Sequence, residues 1–160
     1  MKLKERLLAN NVNYVDLKFN VFDGTDWKEE VISVPEKVPF IKNSIFDDNQ
    51  NELIFGLKRY IFKIKTYIGN QSEEEFFKNE MAFDASLYCL LTLSDIAFQI
   101  SKDEKICSYY QGIDFEDISS IYKSAIHGDM FDMNAIANAL FEILPFYLLL
   151  MYLREGVVDF

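Results

Sequence analysis

The run from Ile143 to Leu153, ILPFYLLLMYL, limits what this chain can fold into more than any other stretch. Ten of its eleven residues are large and apolar, and the eleventh is Pro145. Such a segment must leave water, as a membrane span, a core helix or one half of an interface. A span needs about 20 apolar residues. Extending back from Leu153 meets Glu142, Asn138 and Asn134 within that distance, and charged or amide groups at bilayer depth are costly. The run is instead the length of a helix buried on nearly all sides. It predicts a core helix that starts near Asp129–Asp132 and runs to Glu155, with Gly156 as its stop and Arg154 near the negative end of the dipole. A homodimer interface through the same helix, which would make the chain a structural or regulatory subunit, is the alternative. Pro145 sits well inside and should bend or break the helix, since its bond to residue 141 is lost.

A core helix needs partners, and the rest of the chain supplies them. In YVDLKFNVF (14–22), Val15, Leu17, Phe19 and Val21 alternate with Asp16, Lys18 and Asn20, the period of a half-buried strand. Asp23–Asp26 is turn chemistry, and WKEEVISV (27–34) reads as the second strand of a β-hairpin closed by Pro35. A lone hairpin is marginal in water, so its apolar face must rest on helices. Residues 52–68 place Leu53, Leu57, Tyr60, Ile61, Ile64 and Ile68 on one helical face, ended by Gly69-Asn70. Residues 72–101 keep helical periodicity throughout, with a capping box from Ser72 to Glu75 and room for a break near Thr92–Ser94. A polar loop (102–113) leads to a helix over 114–128, capped by Asp114 and closed by Gly128. The expectation is an α+β fold, an N-terminal β-hairpin packed on a mainly helical bundle of about four helices, in one domain over 1–160.

Charge is spread unevenly. Residues 1–70 carry eleven Lys/Arg and ten Asp/Glu, for a balance of +1, whereas residues 71–160 carry five and sixteen, for −11. Such a field keeps a protein soluble, and it also repels nucleic acid and attracts basic proteins. The N-terminal MKLKERLLANN lacks the apolar core of a secretory signal. Cys89 and Cys107 stand in no metal or redox spacing, and Cys89 lies in the apolar LYCLLTL, so a reducing cytoplasm is the expected compartment.

Chemistry-bearing patterns are scarce. One histidine, His127, and two separated cysteines make no zinc set, and no phosphate-binding glycine loop, HExxH or GxSxG occurs. No cofactor is expected and no catalytic residue is assigned. The carboxylates remain. Glu80, Asp84 and Asp95 share a face of the predicted 72–101 helix, and Asp114, Glu116 and Asp117 open the next one. Such acids are ordinarily the solvated face of an amphipathic helix or the opening turn of the next one. As a site they are the candidate residues for a basic protein partner, and Glu80 with Asp84 could alternatively hold Mg²⁺ in a carboxylate enzyme. Phe55 and Phe62, off the main face of the 52–68 helix among Lys58, Arg59, Lys63 and Lys65, could stack on bases. Burial of both by the hairpin and another helix fits the negative charge better.

Small size, acidity, abundance of Phe, Tyr, Ile, Asn and Lys, and freedom from motifs are together a profile across the whole chain. In that profile it resembles the bacterial immunity proteins that neutralise contact-dependent and other polymorphic toxins. The resemblance implies a non-enzymatic cytoplasmic inhibitor, monomer or homodimer, that binds one cognate toxin domain, a nuclease for example, by active-site occlusion or at an exosite. It implies neither a nucleic acid nor a membrane partner.

Overall fold

The computed structural model describes residues 3–128 and 130–159. A short helix α1 (Leu3–Ala9) precedes the antiparallel hairpin β1 (Tyr14–Phe22) and β2 (Trp27–Pro35), paired from Tyr14↔Pro35 to Phe22↔Trp27. The alternation read from the sequence decides the faces. Phe19, Val21, Ile32 and Val34 are buried, while Asp16, Lys18 and Glu29 are exposed. The turn keeps its shape because the Asp23 side chain accepts from the amides of Thr25 and Asp26.

Helix α2 (Asp48–Ile68) begins four residues earlier than its apolar pattern suggests, because Asp47 caps it and Gln50 returns the bond to the Asp47 amide. The predicted 72–101 helix is two helices, α3 (Glu73–Lys78) and α4 (Glu80–Ser101). Ser72 and Glu75 form the expected capping box, but the break falls at Asn79, whose side chain caps α4 through the Ala82 amide. No break occurs at Thr92–Ser94; both hydroxyls bond back to carbonyls one turn earlier within α4.

The segment predicted as a loop contains α5 (Glu104–Tyr109), capped by Asp103, with Ile106 fully buried. Helix α6 (Phe115–Ala125) has the Asp114 cap, with Phe115, Ile118 and Ile121 inward. It ends before Gly128. Residues 126–127 form the strand β3, paired with β4 (Met130–Phe131), and Gly128 takes a positive φ between them. Asp129 lies outside the described residues.

The last helix is one unbroken rod in three registers. These are α7 (Met133–Ala137), capped by Asp132, a π-helical segment over Asn138–Ile143, and α8 (Leu144–Glu155), closed by Gly156 in the left-handed region. Pro145 does not break it. The wider π turn, one residue more per bond, gives the proline ring room where an α turn would press it on the carbonyl of Phe141. That carbonyl accepts instead from Asn20 Nδ2 of β1 at 3.2 Å.

Within Ile143–Leu153 the residues Leu144, Pro145, Leu148, Leu149, Met151 and Tyr152 are buried and Leu153 alone is exposed, so the run fills the core of its own chain. The hairpin lies against this rod, with Trp27 edge-on to Phe146 at 5.6 Å. Helix α4 is held between α2 and α6. By length and composition alone α4 and the 133–155 rod could each cross a membrane; more than half of the apolar window in the rod is buried against the protein itself.

Candidate functional site

All six carboxylates singled out in the sequence are exposed. Glu80, Asp84 and Asp95 run along the outer side of α4, away from α2 and α6. Among the described residues no lysine, arginine or histidine lies within ion-pair distance of these three. They are free to meet cations from outside. Asp114, Glu116 and Asp117 stand apart from Glu80 and Asp84, at the start of α6. Asp114 is committed to its cap. Glu116 and Asp117 line a shallow groove of about 420 Å³ with Phe98, Lys102, Ser120 and Lys123, which joins the α6 acids to the C-terminal end of the α4 face.

The acids have companions that charge alone did not reveal. In the same outer sector Met81 is 85% exposed, Tyr88 66%, Phe98 56% and Leu91 41%. An ordinary solvated face would carry Lys, Glu, Gln or Ala at those positions. Four large apolar side chains in one stripe resemble the core of an interface, where Met and aromatic residues are enriched. The sequence held the signal. Apolar residues occur all around the 80–101 segment, so some had to fall in the sector of the acids. Core packing could not take them once α2 and α6 covered the opposite sides.

A second polar assembly lies inside. Lys58, at 1% side-chain exposure, reaches Glu155, at 6%, with its Nζ 2.8 Å from Oε1 and 2.6 Å from Oε2. The Tyr110 hydroxyl donates to the same carboxylate, and Lys58 Nζ sits 5.9 Å from the centre of the Tyr152 ring. Burial first, then the Glu155 charge, holds both tyrosine hydroxyls protonated far above their ordinary range. A cavity of about 370 Å³, with Arg6, Lys42, Asn43 and Asn51 in its walls, opens onto Tyr110 and Glu155. Both oxygens of the carboxylate facing it are engaged, by Lys58 and by Tyr110, so the assembly clamps α2, the end of α5 and α8 together.

The basic aromatic frame on α2 is covered. Phe55 packs edge-on against Phe40, from the loop before α2, at 5.2 Å, and Phe62 lines the groove beside Val15 and Leu17 of the hairpin. The hairpin borders the groove onto which the one ring opens; a loop, not the expected helix, packs on the other. Lys63 lies over the Tyr60 ring and Lys65 over the Phe19 ring, at 5.0 and 4.1 Å. Both phenylalanines are half-buried.

Among the described residues no group of three or more His, Cys, Asp or Glu is placed to hold a metal ion, and Glu80 with Asp84 has no third ligand. Cys89 is buried and Cys107 half-buried, both as free thiols. No family model, no curated protein and no solved structure matches the chain.

Proposed function

We propose that this protein works by binding: an acidic cytoplasmic inhibitor that seats a basic protein, a toxin domain, on the outer face of α4 and so neutralises it. The observation that carries the reading is the stripe of Met81, Tyr88, Leu91 and Phe98 held in solvent between the unpaired carboxylates of Glu80, Asp84 and Asp95. Apolar knobs supply contact area that is lost from water on docking, and the charges around them supply steering and exclude acidic partners. The −11 balance of residues 71–160 extends the same field beyond the contact.

The test is a photo-reactive side chain installed at Tyr88 in the native host. It should capture one basic protein whose isolated toxic domain kills cells that lack this chain and spares cells that make it. With the captured domain purified, charge reversal at Glu80, Asp84 and Asp95 together should slow association at least tenfold at low ionic strength and much less at high salt. Protection and association that survive the triple reversal unchanged would overturn the assignment of this face.

A further inference from the structure

Six of the solvent-facing positions of α4, Met81, Asp84, Tyr88, Leu91, Asp95 and Phe98, follow one another in steps of three, four, three, four and three residues, with Glu80 and Gln99 flanking the row. That alternation is the 3.5-residue repeat along which two helices pack knob into hole. A straight helix drifts about 20° per heptad from that repeat, so over this length the row stays on one side. Helices α2 and α6 pack on other sides of α4. The row has the spacing of a helix-packing seam, and among the described residues no helix covers it.

Its composition says which helix fits. Two copies of this chain paired antiparallel about the middle of the row would set Asp84 of one copy opposite Asp95 of the other, and parallel pairing would set each aspartate against itself. Both arrangements oppose like charges in the seam, which is destabilising. A lipid surface would receive two aspartates within the buried stripe, where charge is costly, and anionic headgroups would repel them. A foreign helix with cations at the matching places turns the same two residues into attraction.

Resting on the binding reading above, we propose that the seam docks one amphipathic α-helix of the partner. Its contact stripe is apolar except for two Lys or Arg residues set eleven positions apart, the separation of Asp84 and Asp95. The pairs also fix the register. Sliding the visitor one heptad toward the C-terminal end of α4 would place one cation on Leu91 and the other on Lys102.

The probe is a synthetic helical peptide of about four heptads, with Leu in its contact stripe and Lys at two stripe positions eleven apart. Comparison peptides carry Glu at both positions, or the second Lys moved by one heptad. Anisotropy with the full chain should show the first peptide binding at least tenfold tighter than either comparison. Asp84→Lys with Asp95→Lys should reverse the preference between the Lys and Glu peptides. Tyr88→Ala with Phe98→Ala should weaken the Lys peptide at least tenfold while circular dichroism and Tm stay those of the parent, since both side chains are exposed. Equal binding of the three peptides, or binding indifferent to the double alanine variant, would overturn the inference. So would self-association, or sedimentation with phosphatidylcholine–phosphatidylglycerol vesicles, that the double alanine variant abolishes. Failure here and failure of the binding reading are distinguishable. A cognate partner captured at position 88 through a strand or loop removes the helix and leaves the inhibitor, whereas a partner captured only elsewhere on the surface removes both.

Discussion

Lys58 falls one position from Leu57 on α2, on the side that Ile54, Ile61 and Ile64 turn to the core. Its stem crosses apolar surroundings, and its charge is tolerable there because Glu155 meets it with both oxygens. Nothing in periodicity could assign that depth, because the partner lies 97 residues away in the chain. Breaking such a buried pair from one side leaves an uncompensated ion. Lys58→Met should therefore cost about 3–5 kcal/mol in urea unfolding. Replacing the set together (Lys58→Met, Glu155→Leu, Tyr110→Phe) removes each group that the single change would orphan and should recover most of the loss. A triple variant as unstable as the single one would show that volume, not charge, sets the cost. The acids of the α4 face were legible for the opposite reason. A carboxylate without a nearby cation is at the surface almost by rule, whereas Tyr88 or Phe98 could have gone to either side until the neighbours of α4 were known.

At the scale of elements, caps were readable wherever they are local. Ser72 with Glu75 and Asp114 with Asp117 satisfy amides three residues on, so a short window contains the whole interaction. The break at Asn79 was hidden because the apolar period continues through it. Helix α5 was hidden because its single buried side chain, Ile106, makes no pattern. The rod from Met133 to Glu155 was legible in extent but not in phase. A π turn is an α turn carrying one extra residue, which rotates everything before it by about 100°. That rotation offsets the drift of the four-residue spacing, so Ile136, Leu140, Leu144 and Leu148 all reach the core. The bond from Asn20 to the Phe141 carbonyl follows from the same proline. Asn20→Ala should cost about 1 kcal/mol. In a Pro145→Ala background, which returns an amide to that turn, the same substitution should cost measurably less. Equal costs in the two backgrounds, by thermal or urea melts, would uncouple the asparagine from the proline.

For the molecule as a whole, fold class and the hairpin-on-helices arrangement followed from pattern, while pH behaviour depends on burial that no pattern shows. Burial pulls Lys65 down to about 8, although its ammonium lies over the Phe19 ring and donates to the Lys18 carbonyl. The unfolded chain keeps that proton to about 10.5. Between the two values the unfolded state binds more protons, so this residue makes stability rise with pH across that window. Tyr110, Tyr152, Cys89 and Cys107 are all shifted upward, chiefly by burial, and act in the other direction once their unfolded counterparts ionise. The difference between parent and Lys65→Met isolates the lysine. It should favour the variant near pH 7 by something on the order of 1–3 kcal/mol and shrink by pH 10. A difference that stays level from pH 7 to 10 would mean the ammonium is well solvated.

The first and last described turns of the chain meet: the Lys4 amide donates to the Gly156 carbonyl at 2.8 Å, Lys4 Nζ lies 3.4 Å from Asp159, and the Tyr14 hydroxyl donates to the Val157 carbonyl at 2.6 Å. Anything fused before residue 3 or after residue 159 would thus depart from a single corner of the body. A short bridge could join the two flanks, with fresh ends opened at the solvent-exposed Asp23–Asp26 turn. The order in which the chain is threaded would change while every packed surface kept its neighbours.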